Sequence, residues 1–87
     1  MNNQKIKEVI RQILINILES HVDEIRDDDD LFEKGVLESL TLAIMIPALE
    51  EKFQIEIDPE EIVPEYFSTI NSITSLVARR IIMGTKQ

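Results

Sequence analysis

The chain has 87 residues, 44% of them hydrophobic, with no Cys, no Trp and one His. That leaves room for one domain, expected to span 1–87 with an Ile, Leu and Val core, and it excludes a disulfide framework, a thiolate or multi-His metal site and a Cys nucleophile. A balance of 17 acidic against 9 basic residues, a formal charge of −8, argues against nucleic acid and favours partners with basic patches.

No apolar stretch reaches the ~20 residues of a membrane span, and the N-terminal run Met1 to Lys5 leads into an amphipathic pattern without the apolar core of a signal peptide. A cytoplasmic monomer is expected.

The first predicted element is the clearest. Ile6, Val9, Ile10, Ile13, Leu14, Ile17 and Leu18 recur at the helical period and form one continuous stripe, predicting a helix over residues 4–19. From Ser20 to Glu38 the periodicity disappears. This stretch holds eight acids (Asp23, Glu24, Asp27, Asp28, Asp29, Asp30, Glu33, Glu38) against Arg26 and Lys34. It also carries Val22, Ile25, Leu31, Phe32, Val36 and Leu37, so it is expected to be an ordered loop anchored by its apolar residues. Loops of this length inside a small domain are often functional.

The helical pattern resumes at Ser39 and runs to about Phe53, with Ser39 as the expected N-cap. Pro59 to Ile62 reads as a short helix opened by Pro, which Pro64 keeps from extending. Ile70, Ile73, Val77 and Ile81 mark a last helix capped by Ser68 or Thr69, with Arg79, Arg80 and Lys86 near its end and Gly84 to stop it. The sum is an all-α fold: a small four-helix bundle of three main helices and one short one, with a long first loop.

Chemistry concentrates in Asp30-Leu31-Phe32-Glu33-Lys34-Gly35-Val36-Leu37-Glu38-Ser39-Leu40-Thr41. A Gly-containing loop there delivers an acid and a Ser to a helix start. The Ser hydroxyl would be reachable from outside, and the helix N-terminus offers free N–H groups and partial positive charge to a phosphate.

This run resembles the attachment site of the phosphopantetheine-binding acyl carrier proteins, including D-alanyl carrier-like members, with Glu38-Ser39-Leu40 standing for the family's Asp-Ser-Leu. The spacing of Leu31-Phe32, Gly35 and Leu37, the later Ala48-Leu49-Glu50-Glu51-Lys52-Phe53 and Glu56-Ile57, and Thr69-Ile70 resemble the family as well. The similarity covers about Ile6 to Ile82. It implies an acyl-carrier-like fold and a non-enzymatic carrier with 4′-phosphopantetheine esterified to Ser39, Glu38 and Leu40 lying beside it. It implies as partners a phosphopantetheinyl transferase, an acyl- or aminoacyl-activating enzyme, and downstream synthases or transferases.

Two departures stand out. Glu38 adds a methylene to the acid that, in the family, helps position metal and cofactor donor during attachment. Thr41 and Ile44 are uncharged where fatty-acid carriers usually have acids, so the chain looks more like a stand-alone carrier of D-alanylation or of a specialised polyketide or peptide pathway than a housekeeping fatty-acid carrier.

Within the second helix, Leu42, Ile46, Leu49 and Phe53 form the stripe expected in the core. Leu40, Ala43, Ile44 and Pro47 form a second stripe on nearly the opposite side, which reads either as packing against the loop or as an apolar docking patch flanked by Glu50 and Glu51. Pro47 removes a helical hydrogen bond and costs ~3 kcal/mol or more unless a kink absorbs it. Such a kink would alter how Ser39 is presented.

The rival readings are weaker. A calcium loop begun at Asp27 would put Leu31 and Phe32 where a ligand and a Gly are required, and the acids read better as a solvated face. A serine hydrolase lacks a constellation, since His21 is the only His and is expected simply to follow the first helix. The remaining alternative is an acidic helical adaptor of the same fold without a prosthetic group, in which Ser39 is only a cap.

Overall fold

A computed structural model describes residues 2–18 and 25–83. Helix α1, Asn3–Leu18, begins where the Asn2 side-chain oxygen accepts from the Lys5 N–H at 2.8 Å. Its apolar stripe faces inward, with Ile6, Ile10, Ile13 and Leu14 buried and Val9, Ile17 and Leu18 packed at the margin. A single stripe has a single orientation that buries it, so here periodicity alone suffices.

Helix α2 spans Ser39–Phe53, a 3-10 turn Pro59–Glu61, one-turn helix α3 Pro64–Phe67, and α4 Ile70–Met83. α1 packs on both α2 and α4, and α3 packs on α4. Ile70, Ile73, Leu76 and Val77 of α4 meet Met45, Leu49 and Phe53 of α2 and Phe67 of α3 in one buried cluster. Each such side chain contributes about 1.5–3 kcal/mol by leaving water. No strand occurs among the described residues, and the architecture is the expected all-α bundle with three main helices.

The expected short helix at Pro59 to Ile62 is a 3-10 turn that ends before Ile62, and a separate helical turn starts at Pro64. Pro64 ends the first piece and, with no N–H to satisfy, suits the first position of the next. Thr69 is the cap of α4: the Ser72 N–H donates to its Oγ1 at 2.9 Å, and the Thr69 N–H donates to Ser72 Oγ at 3.1 Å. Glu19, Val22, His21, Gly84 and Lys86 lie outside the described residues.

From Ile25 to Glu38 the stretch before α2 is an ordered loop as expected, with Ile25, Leu31 and Leu37 buried. Asp28, Asp30 and Glu33 are exposed, as a solvated face requires, but Asp27 and Asp29 are half-buried and bonded, which corrects that reading for these two. Asp27 accepts from Arg11 Nη2 at 2.8 Å and pairs with Lys7 at 3.1 Å, tying the loop to α1. Its carbonyl accepts from the Asn71 N–H, tying the same loop to α4, and the Leu31 N–H donates to the carbonyl of Ser68, the residue that closes α3. Asp29 accepts from the Arg26 N–H and Asp30 from those of Phe32 and Glu33. Asp and Asn side chains do this readily because they reach backbone N–H groups two or three residues on.

Candidate functional site

The loop aims the chain into α2. The Leu31 carbonyl accepts from the N–H groups of both Val36 and Leu37, folding residues 31–37 into a tight turn. Gly35 sits in it at φ +75°, a left-handed conformation that strains any side chain although a Cβ would meet nothing within 4 Å. Leu37 is buried, Glu38 is extended at φ −145° and ψ 179°, and the helix starts with the Leu42 N–H bonding the Glu38 carbonyl at 2.8 Å.

Glu38 is therefore the N-cap, and Ser39 is the first helical residue, correcting the expectation that Ser39 caps α2. The chain must stay extended through Glu38 so that Leu37 can be buried, which shifts the helix start by one residue. Glu38 makes no side-chain capping bond. The N–H groups of Ser39, Leu40 and Thr41 precede the first helical hydrogen bond, so they remain available to an acceptor. Ser39 is exposed, and its hydroxyl has no hydrogen-bond partner among the described residues.

Ser39 opens onto a groove of about 400 Å³ lined by Leu42, Ala43, Ile46, Pro47 and, from across the gap, Ile62. This volume falls near the lower end of pockets that hold small molecules, roughly 300–1,000 Å³. Ile62 is held there by its neighbour. Glu61 accepts from Arg80 Nη2 at 2.6 Å and Nε at 3.0 Å and also from the Asp58 N–H, while Asp58 accepts from the Glu60 N–H. Burial pushes the Glu61 carboxyl up, but Arg80, the Asp58 N–H and Arg79 together hold it below its ordinary value. The Arg79 guanidinium lies 5.3 Å from the centre of the Tyr66 ring, so the 3-10 turn, α3 and α4 are stapled into one wall.

The seam of α2 is rotated from its expected place. Thr41, Met45, Leu49 and Phe53 are buried, whereas Leu42 and Ile46 are half-buried and line the groove. The two stripes differ by about half the ~100° step of a helix, and apolar residues lie nearly all round this helix. Its phase is decided by its neighbours. Thr41, singled out for its lack of charge, faces the core.

The second apolar stripe is a surface. Leu40 is 70% exposed and Ile44 48%, and Ala43 and Pro47 are exposed beside them. Glu51 is exposed, but Glu50 is half-buried and its Oε2 accepts from the Ile57 N–H at 2.9 Å, fixing the segment that follows α2. The groove-lining Leu42, Ile46 and Ile62 were missed from sequence. Periodicity assigned the first two to the core, and nothing about Ile62 signals which helix it faces.

The chain matches the family model "Phosphopantetheine attachment site" over residues 8–78. It is 38% identical to the D-alanyl carrier protein of Lactococcus lactis subsp. cremoris (strain MG1363) over 86% of this chain and 95% of that one. It is 36% identical to the D-alanyl carrier protein of Streptococcus suis (strain 05ZYH33) over 80% and 87% respectively. Among solved structures it superposes on a chain in the crystal structure of an FAD-dependent dehydrogenase with a TM-score of 0.68 and 25% identity, covering 77% of this chain and 94% of that one. The family carries covalently attached 4′-phosphopantetheine. The site's donor set fits that group: an exposed hydroxyl without a partner, three backbone N–H groups for a phosphate, and an apolar groove alongside. No helix among the described residues is long and apolar enough to cross a membrane. With the family model matching residues 8–78 and relatives 36% and 38% identical over most of its length, this chain belongs to the phosphopantetheine-attachment-site family and is a carrier protein, not an enzyme.

Proposed function

We propose that Ser39 is the attachment point and that the chain carries an aminoacyl group, with D-alanine or a closely similar small amino acid as cargo. The observation that carries the reading is the exposed Ser39 hydroxyl at an uncapped helix start, in a chain 38% identical to a D-alanyl carrier protein. A phosphopantetheinyl transferase using CoA and a divalent metal finds in Ser39 an unencumbered oxygen nucleophile. That oxygen would bond to the phosphorus next to pantetheine as the CoA pyrophosphate bond breaks, releasing adenosine 3′,5′-bisphosphate and the hydroxyl proton. The N–H groups of Ser39, Leu40 and Thr41 and the dipole of α2 then stabilise the phosphodiester charge. When bound, the group supplies a thiol on a long tether, to which cargo is joined as a thioester. Glu38, exposed beside Ser39, offers its carboxylate to the transferase's metal, as the resemblance implies.

Leu40, Ala43, Ile44 and Pro47 present an apolar patch for the transferase, the aminoacyl-activating enzyme and the acceptor enzymes. Glu51 lies near it, and Glu50 keeps one carboxylate oxygen beyond its bond to Ile57 for basic residues of those partners. Partners that must exchange should dock weakly, with an electrostatic part that salt screens. The protein itself raises the local concentration of cargo at each docked enzyme.

The test is intact-protein mass after incubation with CoA, magnesium and a broad-specificity transferase, followed by ATP, D-alanine and a D-alanine-activating enzyme. Wild type should gain a phosphopantetheine-sized and then an alanyl-sized increment, and Ser39→Ala neither. A folded wild type that gains nothing would indicate an acidic adaptor of the same fold.

A further inference from the structure

Ala43 and Pro47 lie four residues apart on the same wall of the groove that Ser39 opens onto. In an α-helix the N–H of residue 47 would close on the carbonyl of residue 43. Proline has no N–H, and its ring crowds that carbonyl. α2 nonetheless continues from Ser39 to Phe53 with Pro47 inside it, and both Ala43 and Pro47 are exposed. The Ala43 carbonyl therefore lacks its usual helical donor, on a groove otherwise lined by the apolar side chains of Leu42, Ile46 and, across the gap, Ile62.

An apolar groove with one backbone acceptor suits a ligand that is mostly aliphatic and carries an N–H donor. Building on the Ser39 reading above, we propose that the Ala43 carbonyl, made available by Pro47, accepts a hydrogen bond from an amide N–H of the phosphopantetheine arm, holding the arm against α2 and Ile62 between visits to partner enzymes. The arm is an aliphatic chain interrupted by amides, and its anchor lies one helical turn from Ala43, ~6 Å along the axis. A tethered group is present at millimolar effective concentration, so one hydrogen bond and a few apolar contacts suffice for partial occupancy. Docking of this kind remains easily reversed, as delivery of cargo requires.

The test uses holo-protein carrying an isotopically labelled arm, transferred from labelled CoA and verified by intact mass at Ser39. Hydrogen exchange of the arm amides is read by NMR, with free labelled CoA as the reference. One arm amide should exchange about two- to tenfold more slowly than in CoA, the effect of one net hydrogen bond, and the arm methyls should show contacts to Ile62. Pro47→Ala restores an N–H that takes the Ala43 carbonyl, so protection should fall to the CoA level while loading at Ser39 stays complete. Ile62→Ala should weaken the methyl contacts. Exchange at the CoA rate in the wild type, or protection unchanged by Pro47→Ala, overturns the inference and leaves the Ser39 reading intact. Failure of the mass gain at Ser39 overturns both.

Discussion

The two halves of α2 are built to opposite specifications. Its C-terminal half is tied down: Leu49 and Phe53 are buried, Gln54 closes the helix in a left-handed conformation, and Glu50 holds the Ile57 N–H. Its N-terminal half has no side-chain cap, an unbonded Ser39, and Leu40 and Ile44 open to solvent. The contrast is not a general looseness of helix starts in this chain. Asn2 caps α1, Asp58 and Glu61 form a reciprocal box on the 3-10 turn, Thr69 and Ser72 cap α4, and α3 begins with a proline that has no N–H to satisfy. Among the described residues, only the α2 entry leaves N–H groups, a hydroxyl and apolar surface together, and these are the groups that a phosphodiester and a docking enzyme need.

The largest expected effect tests the tied half. Leu49 is fully buried, and Leu49→Ala should destabilise the fold by about 2–5 kcal/mol in urea denaturation. The same truncation at the exposed Leu40 should cost far less.

Acid should loosen the scaffold that holds both halves. Asp27 is held below its ordinary value chiefly by Arg11 against some burial, with Lys7 adding to it, and Asp29 chiefly by the Arg26 N–H. Glu61 is lowered on balance: burial raises it, and Arg80, the Asp58 N–H and Arg79 together outweigh that. Carboxyls depressed in the folded state bind more protons when unfolded, so their stabilisation is complete above the unfolded values and declines as pH falls. Tm should be level near neutrality and drop progressively below about pH 5. A Tm that rises on acidification would show that relief of the −8 charge outweighs these bonds.

Glu50→Ala leaves the Ile57 N–H without its acceptor and should cost about 1–2 kcal/mol, with the amide of Ile57 exchanging faster. Loss of partner turnover at unchanged stability would instead assign Glu50 to docking. Glu38→Asp places a preferred capping residue where Glu makes no bond, and should add about 0.5–1 kcal/mol by capping α2. No gain in Tm would mean that the backbone at Glu38 does not admit a cap. Leu40→Ala, at a side chain 70% exposed, should change stability by less than about 0.5 kcal/mol while raising the KM of the transferase. Unchanged loading kinetics would remove Leu40 from the docking surface.

Much of this was legible in the residues. α1 has one apolar stripe, so its extent and buried face follow from spacing. The ordered loop followed from apolar residues too numerous for a solvated linker, though not the work of its acids. Whether Asp27 meets solvent or Arg11 depends on α1 passing beside it, 16 positions earlier in the chain. The Glu38-Ser39-Leu40 run pointed to the attachment chemistry, yet the one-residue shift that makes Glu38 the cap arises because Leu37 must reach the core.

Sequence by itself determined the helical class, the place of each main helix, the net charge of −8 and the Glu38-Ser39-Leu40 run at the start of α2. Tertiary structure alone decided which face of α2 is core, because a helix apolar nearly all round has no preferred phase until neighbours supply one. It also decided that Ile62 closes a groove beside Ser39, since the Glu61–Arg80 pair that places it joins residues 19 positions apart. Local spacing sets what a segment can bury, and only packing between distant segments sets what it leaves open.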